Sequence, residues 1–393
     1  MKMRNLCMKF VLALTSLLVL LSTVLTASCV KEAGEIKLGA LLDLTGALSG
    51  MGQGVLDAVK LAVQQVNEAG GIGGRPVALY VEDGQTDPES GYQAVKKLVG
   101  VDGCKVIVGP MISGTTLAIG DYILGQNAFM ISPSATSADI ALQNFRQLMF
   151  RTVTSDALQA RAVAQVIAEG GYQRVAILAV NNSYGVGLAS GVSRALNGKA
   201  TVVGTVKYDP TKADFSAELQ SLKGKAPDCV VHVGYQVDGD AIYKQALAQE
   251  LDSIQWVATD GVYANATLAV PEAAAFMASS VIGTRATAPE GLMAFADFSA
   301  AYKAAYGVEP GVFCENAYDA TRLALSAMKK AGSTDGARVA AEVMRLAQNY
   351  AGASGSISLA ANGDRVSGDY EVWKVVKTSD SYAYQRVKVI SLS

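Results

Sequence analysis

From residue 36 onwards, apolar runs of strand length alternate with stretches of helical periodicity, and nothing else in the chain constrains its fold so strongly. Residues 36–42 form a continuous apolar run closed by Asp43-Leu44-Thr45-Gly46, the profile of a strand buried on both faces of a parallel sheet. Residues 55–68 then carry Val55, Val59, Ala62, Val63 and Val66 at helical spacing. Gly70-Gly71-Ile72-Gly73-Gly74 ends that helix, and Pro76 opens a strand at 77–81. The alternation goes on with a helix over 88–99, a strand at 105–108, a helix from Ser113 and a strand at 128–131. A second series begins near Asp156, with a helix over 157–169 and strands at 174–180, 201–206, 229–233 and 255–258. Beyond Ala288 come helices alone, at 292–306, 316–331 and 339–346, and then β-type runs at 370–376 and 383–390. Such alternation predicts parallel sheets covered by helices on both faces. A length of 393 residues exceeds what one hydrophobic core usually serves. The expectation is an α/β protein of two Rossmann-like lobes.

The first 28 residues follow another rule. Lys2, Arg4 and Lys9 make a positive start, residues 10–25 an apolar run, and Thr26-Ala27-Ser28 a small-residue stretch before Cys29. These are the three regions of a secretory signal peptide, here residues 1–28. The apolar run is also near the lower limit for a membrane anchor, but no positively charged flank follows it. Residues 25–29 resemble a lipoprotein processing site, in which Cys29 becomes the lipidated N-terminus and residues 29–35 a linker. The mature chain would then sit in the periplasm or on the outer face of the cell membrane, tethered by lipid. Cys104, Cys229 and Cys314 remain, each in or beside an apolar segment, where a buried free thiol is the common state. Three cysteines allow at most one disulfide.

Composition removes several functions. Basic and acidic residues number 33 and 35, with no basic run beyond the signal, so the electrostatic footprint of a nucleic-acid binder is missing. His232 is the single histidine and lies inside an apolar strand, so the chain has no Ser–His or Cys–His nucleophile and no histidine-rich metal site. Gly185-Val186-Gly187-Leu188-Ala189-Ser190-Gly191 imitates a dinucleotide motif, but its third glycine falls one place late and it lies in the second series. These readings predict a binding protein without cofactor, metal or nucleotide, and not an enzyme.

From residue 36 to about 376 the chain resembles the type I periplasmic binding proteins of the branched-chain amino acid family. The resemblance is carried by Ile36-Lys37-Leu38-Gly39 leading to Asp43-Leu44-Thr45-Gly46, and by Asn67-Glu68-Ala69-Gly70-Gly71-Ile72-Gly73-Gly74-Arg75-Pro76. Glu82-Asp83 with Asp87-Pro88, Val108-Gly109-Pro110 and Ile131-Ser132-Pro133-Ser134-Ala135-Thr136 follow in order. It implies two lobes joined by three crossovers, near 151–155, 283–288 and 359–369, with the ligand between them. Lobe 1 would comprise 36–152 and 286–360, and lobe 2 153–285 and 361–393. It also implies the substrate-binding component of an ABC importer, which holds an amino acid and hands it to the membrane permease. The same fold could bind urea, a short amide or an organic carboxylate, or sense a ligand for a signalling partner.

Open parallel sheets bind ligands beyond the carboxyl ends of their strands, where helix N-termini supply free N–H groups. Ser113 and Thr116 stand at such a place and are good helix caps. Ser134, Ala135 and Thr136 follow the strand at 128–131 and face the same cleft. They form a plain Ser/Thr turn or, through hydroxyl and carbonyl groups, part of a ligand site. Under the resemblance, Ser113 and its neighbouring amides cradle the ligand's α-carboxylate. Asp260, in Ala258-Thr259-Asp260-Gly261, makes an Asp-Gly turn or supplies the negative partner that a buried ammonium needs. The resemblance favours the second role and brings Tyr184 and Tyr235 to the ligand from lobe 2. Met51, in the first strand–helix loop, stands where several relatives carry an aromatic residue, which leaves the side-chain pocket open.

Overall fold

The computed structural model describes residues 34–393; the expected signal peptide, Cys29 and the linker up to residue 33 lie outside them. Five parallel strands form the first sheet, in the order β2-β1-β3-β4-β5. They are β1 (Ile36–Leu42), β2 (Val77–Asp83), β3 (Val106–Val108), β4 (Phe129–Ser132) and β5 (Met149–Arg151). Helices α1 (Ser49–Glu68), α2 (Pro88–Lys96) and α3 (Ser113–Gly125) connect them. All three residues of β3 and all four of β4 are buried, as strands covered on both faces require.

The second lobe begins with α4 (Asp156–Glu169), followed by β6 (Arg174–Val180), α5 (Ser183–Ala195), β7 (Thr201–Tyr208), α6 (Ser216–Lys223) and β8 (Cys229–Val233). Helix α7 (Gln236–Ala248), β9 (Gln255–Ala258), α8 (Pro271–Ser280) and β10 (Val281–Thr287) continue it. The chain then returns to the first lobe. Helices α9 (Met293–Tyr306) and α10 (Cys314–Ala331) lie against α1, where Tyr302, Tyr306 and Tyr318 donate to Gly54 O, Asp57 O and Gln65 Oε1. After α11 (Gly336–Leu346) a small hairpin, β11 (Tyr350–Gly352) and β12 (Gly355–Ile357), precedes β13 (Gly368–Lys377) and β14 (Tyr382–Leu392). These last two complete a seven-stranded sheet in the order β14-β13-β10-β9-β8-β6-β7. Strand β10 runs parallel to β9 and antiparallel to β13.

Two expectations shift. Helix α1 starts at Ser49 rather than 55, because Gly50, Gly52 and Gly54 interrupt the apolar periodicity without stopping the helix. Gly52 is needed there: a Cβ would stand 2.0 Å from Asp43 O. Met51 therefore belongs to the helix and not to a loop. The second passage between lobes also comes later than 285. Residues 286 and 287 stay in the second sheet, held by antiparallel pairing of Ala286 with Tyr370 and Thr287 with Asp369.

Polar bonds tie the first crossover to the third and to α10. Thr152 Oγ1 donates to Asn316 O and Asn316 Nδ2 to Thr152 O. Arg365 donates to Thr152 O and to the Ser354 hydroxyl and carbonyl. The Thr154 hydroxyl meets Tyr370 Oη at 2.5 Å.

Candidate functional site

Between the lobes lies a small cavity. The first lobe lines it with Ser113, Ser134, Thr136, Leu48, Met111, Ile112 and Phe313, and the second with Tyr184, Tyr235, Asp260 and Gly261. Six of the eight residues singled out from the sequence thus come together. Ala135 and Met51 are not in the lining: both are buried with the core.

The first lobe's side of the cavity is rich in hydrogen-bond donors. Ser113 is the first residue of α3, and the first N–H groups of a helix have no intrahelical acceptor. Its hydroxyl oxygen accepts the Ser137 N–H at 3.1 Å, which leaves the hydroxyl hydrogen free to donate. The loop from Ser134 to Ser137 is folded around protein acceptors. Ser134 and Ala135 N–H donate to Ser132 Oγ, and Ser134 Oγ donates to Met111 O. Ser134 therefore spends its hydroxyl proton on the scaffold. The backbone N–H of Thr136 has no protein acceptor among the described residues, and with Ser113 it completes a cradle suited to an anion.

The second lobe contributes an acidic group to the same cavity. Asp260 is buried and accepts a 2.8 Å bond from Tyr184 Oη, which also meets Thr259 Oγ1 at 2.9 Å. Burial raises the Asp260 pKa above its ordinary value, while Tyr184 and Gln159 lower it in part. Tyr235 stacks on Tyr184, with ring centroids 5.5 Å apart, and its hydroxyl accepts from Asn182 Nδ2 at 3.1 Å. The Tyr235 hydroxyl hydrogen remains available to a ligand. Because α5 starts at Ser183 with Asn182 as its cap, accepting from Gly185 N, Tyr184 is set in the helix's first turn.

Sequence reasoning missed Asp156, the first residue of α4. It is buried, and neither carboxylate oxygen has a hydrogen-bond partner among the described residues. Burial, then the nearby Asp260 charge, pushes its pKa up to about 8; the Thr136 hydroxyl and Arg151 offset this only in part. Phe313 was missed as well. Its left-handed backbone (φ 65°) just before α10 turns the chain at the cavity wall, a conformation rare for a bulky residue. Its only sequence signal was an aromatic residue shortly before a helix.

Two α/β lobes enclose a cavity lined by hydroxyl groups and free amides from the first lobe and by an acidic group from the second. Residues 35–380 match the model of the periplasmic binding protein family, and the chain belongs to that family. The family is one of binding proteins rather than enzymes. The chain is 29% identical over 342 residues to the Leu/Ile/Val-binding protein BraC3 of Rhizobium johnstonii, covering 86% of this chain and 91% of that one. Among solved structures it is similar to the leucine-binding protein LivK of Thermotoga maritima, with TM-score 0.80, 24% identity, and coverage of 90% and 98%. A Rhodopseudomonas palustris solute-binding protein in complex with benzoate has TM-score 0.79, 21% identity, and coverage of 91% and 96%. Among the described residues no helix is long and apolar enough to cross a membrane.

Proposed function

We propose that the chain is the receptor of an ABC importer for an aliphatic α-amino acid, which it closes around and delivers to the membrane permease. The observation that carries this reading is the polarity of the cleft. Ser113 and the first amides of α3 line the cavity from the first lobe and buried Asp260 lines it from the second, which suits the neighbouring carboxylate and ammonium that an α-amino acid carries on one carbon. In this reading Ser113, Ser134, Thr136, Tyr184, Tyr235 and Asp260 make the polar contacts or shape them. Leu48, Met111, Ile112 and Phe313 receive the side chain, in place of the expected Met51. The name of the Rhizobium relative, a Leu/Ile/Val-binding protein, supports an aliphatic side chain. Export and a lipid tether at Cys29 complete the proposal, resting on the three-part N-terminus.

The benzoate-bound neighbour motivates a second reading, a carboxylate without an ammonium. The first-lobe donors would accept it, but Asp260 would then stay buried without a cation, which is costly. A thermal-shift screen against amino acids, urea and benzoate separates the two. Leucine, isoleucine or valine at a hundredfold excess over its Kd should stabilise the protein by about 2.7 kcal/mol, with benzoate inert. A shift with benzoate or urea and none with any amino acid would overturn the first reading.

A further inference from the structure

Arg151 ends β5 and is 1% exposed, yet the ligand cavity is not lined by it. Its guanidinium is shared between two segments. Nη1 donates to Ala135 O at 3.1 Å and to Ser137 O at 3.0 Å. Nε and Nη2 donate to the two carboxylate oxygens of Asp364, each at 2.9 Å. Asp364 sits in the third crossover, where Ala360 N donates to Asp364 O and Arg151 N to Gly363 O. A single buried fork thus joins a loop of the cavity wall to the third crossover. The fork also decides what the loop offers. Carbonyls 135 and 137 are taken by Arg151, and carbonyl 136 by Asp156 N.

We propose that Arg151 is the positioning residue of the ligand site: it fixes the Ser134–Ser137 loop against Asp364, so that loop geometry and crossover geometry change together. The proposal rests on the cleft being the ligand site, and it gives the loop two jobs. With the carbonyls of 135, 136 and 137 withheld, the Thr136 N–H is left without a protein acceptor among the described residues. A lysine at 151 keeps the charge but lacks the planar fork that reaches two carbonyls and two carboxylate oxygens at once.

Hydrogen exchange of the ligand-free full chain tests the coupling without any assumption about the ligand. Asp364→Asn alters only the crossover end of the fork, yet it should speed exchange in peptides covering 132–140 by about tenfold or more, as Arg151→Lys does. Peptides from β1 and α10 should keep their wild-type rates, and Asp364→Glu should restore much of the loop protection. Titration with L-leucine supplies the second readout: both Asp364→Asn and Arg151→Lys should weaken binding by about tenfold or more. The double variant should be no worse than the weaker single variant, as expected of two residues acting as one unit. Unchanged loop exchange in Asp364→Asn, or a uniform rise across the first lobe, would overturn the proposal. If leucine fails to bind the wild type, the amino-acid reading falls, while the exchange result still decides the coupling.

Discussion

Buried Asp260 lines the cavity, buried Asp156 lies near it, and no lysine or arginine lines the cavity to balance them. The Asp156 pKa, ordinarily 3.8, is raised to about 8 by burial and by Asp260. An acid whose folded pKa is raised favours the folded state while protonated, and that contribution is lost as pH climbs from about 4 to 8. An ammonium entering beside the pair favours the ionised form, so affinity should rise with pH over the upper part of this window and a proton should be released on binding. Calorimetry of leucine binding in buffers of different ionisation enthalpy checks it, and Asp156→Asn should flatten the dependence. Asp260→Asn removes the negative charge while keeping the acceptor for Tyr184, and should weaken an α-amino ligand by about 2–5 kcal/mol. An unchanged affinity would remove Asp260 from the ammonium's partners.

Elements carry these residues, and their starts decide where the side chains go. Gly185 lies one residue beyond Tyr184 in the first turn of α5, and a Cβ there would stand 2.0 Å from Val180 O. Gly185→Ala forces helix and strand apart. It should cost about 1–3 kcal/mol of stability, the usual penalty of overpacking, and weaken ligand binding by moving Tyr184; chemical denaturation and titration measure the two effects. The strands were legible because runs such as Val106–Val108 are apolar throughout. The cleft was legible because ligands gather beyond strand ends. The first turns of α1 were hidden, since glycine at 50, 52 and 54 carries no side chain to show periodicity. Asp156 was hidden for another reason: its role depends on lying near Asp260, about a hundred residues away in sequence, and only the tertiary packing of the second lobe creates that charge pair.

At the scale of the whole molecule, the lobes approach each other around the cavity at points that are not ligand contacts. A Cβ on Gly187 of α5 would come 3.2 Å from Ser137 Oγ in the first lobe, and one on Gly50 of α1 would come 2.8 Å from Gln236 Oε1 in the second. Small residues at such places let the lobes come together, and a ligand touching both lobes favours the closed arrangement by its differential affinity alone. Motion about a hinge of this kind accompanies ligand binding in two-domain proteins. The mature protein should therefore be more compact in solution scattering with leucine than without it. Gly187→Leu places a branched side chain against Ser137 and wedges the lobes apart while leaving every cavity residue in place. It should abolish most of the compaction and weaken affinity, because closure is then opposed, yet leave unfolding of the ligand-free protein nearly unchanged. Ser113→Ala should behave in the opposite way, weakening affinity while the bound fraction still compacts fully. Identical scattering of free and saturated wild-type protein would exclude closure as the means of holding the ligand.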